Sequence, residues 1–188
     1  EEKHIFDTVF SQLVTFDVVA MRSLSISLIE KITAPEIINY LVLQAAEESI
    51  HVWTYQHIIE TVGMDQQKAY NRYRTVPELH RKVKMTNDRL AAICDPYIDL
   101  TKQENLDLFL MSYAFFACIF EGIWFYNGFT PIFSLQRRGL MTASGEQLQY
   151  IMRDEAMHFQ FGIKVVNQIM LEQNYRPDPK DIQEMFEE

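Results

Sequence analysis

Apolar residues recur at every third or fourth position along most of this chain, which is the spacing of one face of a helix. Glycine and proline are scarce, at six residues each, so few positions break these segments. Connectors are expected at 64–74 and 129–143, with room for short helical pieces. The pattern predicts an all-α fold with helices near 3–31, 35–62, 77–93, 103–128, 144–173 and from 179 onward.

Capping-box patterns, in which Ser or Thr is followed three residues later by Glu or Gln, mark four of the predicted helix starts. Pro35 and Pro77 also fit first-turn positions. The four patterns are Thr33-x-x-Glu36, Thr75-x-x-Glu78, Thr101-x-x-Glu104 and Ser144-x-x-Gln147.

Four predicted inward faces each carry an acid where a leucine would be expected. Two of these acids begin a Glu-x-x-His motif, which adds His51 and His158 to the same region. The other two acids, Asp17 and Glu121, precede the glutamates of the motifs by similar intervals, 31 residues in the first half of the chain and 34 in the second. Two related helical hairpins would produce this repeat. The faces are Phe10-Leu13-Asp17-Ala20-Leu24, Leu41-Ala45-Glu48-Val52-Tyr55-Ile59, Ala114-Ala117-Glu121-Phe125-Gly128 and Leu148-Ile151-Glu155-His158-Gly162-Val165.

Four buried carboxylates would repel one another and lose their hydration, so they need buried cations. These faces carry no Lys or Arg, whereas two divalent metal ions would balance the four negative charges. Two residues three apart on a helix can reach one ion. Ligation by carboxylates and imidazoles suits iron or manganese better than structural zinc. The pattern therefore predicts a two-metal site held by Asp17, Glu48, His51, Glu121, Glu155 and His158.

Other titratable residues are expected to be solvated or packed without a role in the site. Glu47 lies about 100° away from the inward face of its helix, so we expect it to face solvent. For His4, His57 and His80 we expect surface positions or incidental packing. Each of the six predicted ligands, taken alone, could be an ordinary surface acid or core histidine, and only their joint placement favours metal.

Composition limits the classes of function. The net charge of -9 argues against a protein that mainly binds nucleic acid or an anionic membrane. The apolar stretch 107–125 is interrupted by Asp107 and Glu121, so we expect no membrane span. Cys94 and Cys118 have no motif spacing, and no signal peptide is visible, which favours a cytoplasmic location.

Tyr55 lies two helical turns after Glu48 on the same face, and its side chain leans back toward the predicted metals. Its surroundings, and two later segments in the same order, resemble the small, radical-generating subunit of class I ribonucleotide reductase. The resemblance runs from His4 to about Val166. It rests on Glu47-Glu48-Ser-Ile-His51-Val-Trp-Thr-Tyr55, Phe120-Glu121-Gly-Ile-Trp-Phe125-Tyr126 and Arg153-Asp154-Glu155-Ala-Met-His158.

This resemblance implies a ferritin-like helical bundle with a carboxylate-bridged di-metal site. Asp17, Glu48 and His51 would serve the metal nearer Tyr55, Glu121 and His158 the other, and Glu48 with Glu155 would bridge. Tyr55 would carry the radical within hydrogen-bonding reach of Asp17. Asp154 would contact His51 and belong to the radical path, while Gln44, at a position where some relatives have Trp, receives no role. Phe125, Phe129 and Ile151 would form an apolar shield.

The resemblance further implies two metal ions, iron first, with Mn/Mn or Mn/Fe as alternatives. It implies a large-subunit partner, a homodimer, and reduction of ribonucleotides to deoxyribonucleotides. We expect residues 1–188 to form a single domain that is truncated at both ends, without the upstream Trp used in radical transfer or the docking tail. The six ligands would equally suit a ferritin-like di-iron oxidase or monooxygenase, or an iron-oxidising storage protein. A structural role with empty buried acids is the remaining alternative.

Overall fold

The computed structural model describes residues 2–187, with the backbone alone at positions 25 and 26. It is 85% helical, and the part of the chain that it describes contains no strand, which confirms the all-α prediction. The α-helices are α1 Glu2–Arg22, α2 Pro35–Thr61, α3 Gln66–Asn71, α4 Pro77–Arg89, α5 Ala91–Cys94, α6 Gln103–Ala114, α7 Phe125–Arg137, α8 Thr142–Glu172 and α9 Pro179–Glu187.

Helix starts agree with the sequence patterns to within two residues, but the capping boxes themselves do not form. The residues that precede α2, α4 and α6 are Ala34, Val76 and Lys102, and none of them makes a side-chain cap hydrogen bond. Pro35 and Pro77 do begin their helices, where the missing N–H costs nothing. The first turns are thus set by proline and by acids that favour the helix N-terminus rather than by reciprocal caps.

The predicted connector at 129–143 is wrong at both of its ends, because α7 extends into it and α8 begins at Thr142. α7 continues to Arg137 with Pro131 inside it, and ends where Gly139 adopts a positive φ of 74° and donates its N–H to the carbonyl of Gln136. Left-handed backbone of this kind is the usual conformation of a glycine after a helix. The true connector is therefore the short segment 138–141.

Two helices change to the wider π-helical hydrogen-bonding pattern. One π-helix, Ser23–Leu28, follows α1 and leads into a 3-10 turn at Ile29–Lys31, and the other, Phe115–Trp124, joins α6 to α7. Such segments are uncommon and frequently occur at functional sites. Glu121, one of the predicted ligands, lies within the second of them.

The core lies between α1, α2, α8 and the continuous helix formed by α6, the second π-helix and α7. α8 approaches the π-helix closely at Gly162, because a Cβ atom there would overlap the Cβ of Ala117. By length and composition alone the stretch Gln103–Arg137 could cross a membrane, although it contains Asp107 and Glu121. Here 61% of its most apolar window is buried inside the protein, as in a core helix.

Candidate metal centre

The six predicted ligands converge in the middle of the bundle. Each is at most 1% exposed. They come from four helical segments: Asp17 from α1, Glu48 and His51 from α2, Glu121 from the second π-helix, and Glu155 and His158 from α8. Residues from distant parts of the sequence thus form one buried cluster.

The cluster divides into two overlapping groups of possible metal ligands. Asp17, Glu48, His51 and Glu155 form one, and Glu48, Glu121, Glu155 and His158 form the other, with ligand atoms within 4.8 Å of one another in each group. Because Glu48 and Glu155 belong to both, the arrangement fits two neighbouring cations that share carboxylates. We refer below to the Asp17 half, with Asp17, His51 and Tyr55, and to the Glu121 half, with Glu121 and His158.

Both histidines turn Nδ1 toward the carboxylates. His51 Nδ1 lies 3.3 Å from Glu155 Oε1, 3.5 Å from Glu48 Oε2 and 3.6 Å from Asp17 Oδ2. His158 Nδ1 lies 3.1 Å from Glu48 Oε1, 3.4 Å from Glu155 Oε2 and 3.7 Å from Glu121 Oε2. One nitrogen of each imidazole is therefore available to the same space as the carboxylate oxygens.

Most of these inward atoms are buried without a hydrogen-bond partner among the residues that the structure describes. They include both oxygens of Asp17, Glu48 and Glu155, Oε2 of Glu121, and Nδ1 of both histidines. Buried polar atoms in native proteins nearly always have partners, so a concentration of orphaned atoms at one point needs a reason. Two divalent cations would satisfy the atoms and balance the charge, and the donor set fits that requirement.

The electrostatics of the protein alone indicate the same need for cations. Burial, followed by the charge of Glu48, raises the pKa of Asp17 and of Glu121 well above the usual range. Burial alone would lower the pKa of His51, but Glu155 and Glu48 overcome it and raise that pKa to about 12. The pKa of His158 is likewise raised, against burial, by the acids around it, chiefly Glu121 and Glu155. Without metal, protons must supply the positive charge.

A second pair of acids holds the outer nitrogen of each imidazole. His51 Nε2 lies 3.3 Å from Asp154 Oδ2, and His158 Nε2 lies 2.8 Å from Glu47 Oε2. The contact between Asp154 and His51 was implied by the family resemblance. The expectation that Glu47 faces solvent is wrong, because its side chain is only 34% exposed and reaches across to α8. An acid before the glutamate in both Glu-x-x-His motifs is the sequence signal that could have revealed it.

Gln44 is another residue that the sequence reasoning did not use. It is 2% exposed, and its Nε2 donates to Oε1 of Glu121 at 3.4 Å. This contact supplies a partner to one Glu121 oxygen and leaves the other free for the cluster. Gln44 precedes Glu48 by one helical turn, so its inward direction could have been read from the spacing.

Tyr55 lies on the side of Asp17. Its ring is completely buried and meets the ring of Phe10 edge-on, with 6.0 Å between the ring centroids. Its hydroxyl has no hydrogen-bond partner of normal geometry among the described residues. Burial, followed by the charges of Asp17 and Glu155, raises the pKa of this hydroxyl well above its usual value. The phenol is therefore held protonated in a dry environment beside the carboxylates.

The predicted apolar shield lies in the same buried core as Tyr55. Phe125, Phe129 and Ile151, the predicted shield, are each no more than 3% exposed, and the two phenylalanine rings lie 6.2 Å apart. Such an environment excludes water and strengthens electrostatic interactions. The fold and the site together define a class: helical bundle proteins with a buried, carboxylate-rich site fitted to two metals.

Comparison with known proteins identifies the family within that class. The family model described as "Ribonucleotide reductase, small chain" matches residues 1–188, and the chain belongs to this family. The ribonucleoside-diphosphate reductase subunit beta of Chlamydia pneumoniae is 35% identical over 148 residues, which are 79% of this chain and 43% of that protein. The small subunit of Dictyostelium discoideum is 28% identical over 188 residues, covering 98% of this chain and 50% of its own length.

A solved structure agrees with these sequence relationships. The ribonucleotide reductase R2 subunit from Clostridium botulinum superimposes with a TM-score of 0.83 at 27% identity, over 98% of this chain and 56% of that one. The predicted family and the predicted ferritin-like fold are thus confirmed. The chain spans about half the length, or less, of the relatives named here.

Proposed function

We propose that this chain is the radical-generating core of the small subunit of a ribonucleoside-diphosphate reductase. The observation that carries the proposal is Tyr55, whose buried hydroxyl has no partner of normal geometry in the described part of the chain and lies beside a cluster of orphaned carboxylates. A structural tyrosine of the core would normally satisfy its hydroxyl. An oxidisable phenol next to a two-metal site is the arrangement that radical generation needs.

The proposed metal ligands are the six residues of the cluster, with Asp17, Glu48 and His51 on one metal and Glu121 and His158 on the other. Glu48 and Glu155 would bridge, in agreement with their membership of both groups. Iron is our first choice, with Mn/Mn or Mn/Fe as alternatives, since all three pairs accept carboxylate and imidazole ligands. When bound, the two metals would supply the oxidising power of the site, and its ultimate source would be oxygen or a reduced oxygen species.

The role of Tyr55 is to give up one electron and one proton. A phenol that has lost an electron is too acidic to keep its proton, so the buried hydroxyl of Tyr55 must release both. Asp17, the neighbouring carboxylate on the side of Tyr55, is proposed to accept the proton. The apolar enclosure of Phe125 and Phe129 then keeps water and reductants away from the radical.

The partner required by this function is the large subunit, where the radical would begin reduction of ribonucleotide to deoxyribonucleotide. Asp154 is proposed to belong to the path, because its side chain is 20% exposed and contacts His51. Asp154 therefore connects the buried Asp17 half to the surface of the bundle. We also propose a homodimer and a cytoplasmic location, and we propose no membrane and no nucleic-acid partner.

Electron paramagnetic resonance tests this function. The protein is loaded with Fe(II) without oxygen, exposed to air, and compared with Tyr55→Phe. We expect a tyrosyl signal that disappears in the variant while two metals per chain remain bound. A signal that persists in Tyr55→Phe would contradict the assignment, and uptake of many irons per chain would favour the storage alternative instead.

A further inference from the structure

Glu47 makes a contact that the proposed ligand set does not explain. Its Oε2 lies 2.8 Å from Nε2 of His158, across the gap between α2 and α8. The His158 side chain is fully buried, whereas that of Glu47 is 34% exposed. A partly solvated carboxylate thus reaches inward to one histidine of the metal cluster.

The contact determines which nitrogen of His158 carries the proton. A neutral imidazole has one N–H and one lone pair, and an ionised carboxylate can only accept a hydrogen bond. At 2.8 Å, Oε2 of Glu47 lies at hydrogen-bonding distance from Nε2 of His158 and is the acceptor of that contact. The proton of a metal-binding His158 therefore lies on Nε2, and the Nδ1 lone pair points toward Glu48, Glu121 and Glu155.

The same arrangement occurs in reverse on the other side of the cluster. Asp154 precedes Glu155 on α8 and contacts His51 of α2, just as Glu47 precedes Glu48 on α2 and contacts His158 of α8. Each motif thus supplies the acid that holds the histidine of the other motif. The contact made by Glu47, at 2.8 Å, is shorter than the 3.3 Å contact made by Asp154.

We propose that Glu47 is a positioning residue for the metal that His158 binds. It holds the His158 ring in one orientation and one tautomer, and it makes Nδ1 a stronger donor. This inference rests on the two-metal site proposed above. Loss of such an outer carboxylate typically costs about 10- to 100-fold in metal affinity. Metal affinity should decrease at the site that contains His158 and should not change at the site that contains His51.

Titration with Mn(II), followed by the paramagnetic resonance of the free ion, measures both affinities. Glu47→Ala should bind one of its two metals about 10- to 100-fold more weakly. Glu47→Gln should lose less, because its amide oxygen still accepts a hydrogen bond from Nε2. Glu146→Gln, which removes a charge from an exposed position on α8, is the matched control and should resemble the wild type.

Combination with histidine variants separates positioning from a general loss of charge or structure. In a His158→Ala background Glu47→Ala should cause no further loss, whereas in a His51→Ala background it should weaken the remaining metal by the same factor as in the wild type. Equal losses in both backgrounds would overturn the proposal. Glu47→Gln serves in the same test if Glu47→Ala does not fold.

The wild-type titration distinguishes this inference from the function on which it rests. Fewer than two Mn(II) ions per wild-type chain would contradict the metal centre, and this inference with it. Two ions per wild-type chain, with unchanged affinities in Glu47→Ala, would overturn the role of Glu47 alone.

Discussion

The two halves of the cluster use the same motif on different helical geometry. The Asp17 half is built on α1 and α2 within regular α-helix, and its residues keep the spacing of three and four positions. In the Glu121 half, His158 lies on a regular helix but Glu121 lies inside a π-helix of ten residues. An α-helical pattern therefore describes one half fully and the other only in part.

The halves also differ in what surrounds their ligands. Tyr55, with its unpartnered hydroxyl, lies in the Asp17 half, where the outer acid is Asp154. The Glu121 half has the shorter outer contact, from Glu47, and an amide donor from Gln44. The proposed oxidation of Tyr55 would take place in the Asp17 half, and the proposed positioning of a metal by Glu47 in the Glu121 half.

Removal of a shared carboxylate should weaken metal binding in both halves of the cluster. Glu155→Ala takes away oxygens that belong to both ligand groups, so we expect loss of both metals, by more than the roughly 100-fold typical of an outer contact. Glu121→Ala is the matched comparison and should weaken mainly the Glu121 half. Metal content after gel filtration measures this, and one metal retained tightly by Glu155→Ala would show that the carboxylate is not shared.

The metal-free protein should become less stable as pH rises from 6 to 9. The pKa of His51 is raised to about 12 in the folded state, so the folded chain keeps a proton that the unfolded chain loses near pH 6.5. The raised pKa values of His158, Asp17 and Glu121 act in the same direction. The stability that each of these groups contributes is therefore fully present below the pKa that the group has in the unfolded chain, and it is lost as the pH increases toward the pKa in the folded chain. Bound metals should remove this loss, because they replace the protons.

Urea unfolding at pH 6 and pH 9 measures that dependence. His51→Gln should reduce the slope of stability against pH, and His57→Gln, at an exposed position on the same helix, should leave it unchanged. Stability of the metal-free protein that increases over this range would contradict the charge balance inferred for the cluster.

Close packing of α8 should matter more to the Glu121 half than to the Asp17 half. Gly162→Ala places a methyl group against Ala117 in the π-helix that carries Glu121. Overpacking of this kind costs about 1 to 3 kcal/mol, and it should weaken the His158 metal more than the His51 metal. Denaturant unfolding measures the loss of stability, and Mn(II) titration measures the two metal affinities.

A compensating variant makes this prediction specific. Ala117→Gly removes the methyl group that Gly162→Ala meets, so the double variant should regain much of the lost stability and affinity. Failure of Ala117→Gly to compensate would mean that the effect of Gly162→Ala arises elsewhere.

Several features of the fold were accessible from the sequence because they depend on local spacing. The inward stripes located α1, α2 and α8, and the acids within them identified the cluster, since buried charge without a cation is too costly to be incidental. The end of α7 was misjudged, because tertiary packing holds a helix through Pro131 that local preference would interrupt. The predicted side-chain caps do not form for a local reason: first-turn prolines already set the start of α2 and α4.

By itself the sequence determined the helical class, the residues of the buried cluster and the family, because periodicity, charge balance and motif order are properties of the chain read in one dimension. The tertiary structure alone decided the crossed contacts of Glu47 and Asp154 and the inward turn of both Nδ1 atoms. It also decided the π-helix at Glu121. Each depends on how α2, α8 and the π-helix approach one another, and that distance is set by packing between residues far apart in the chain.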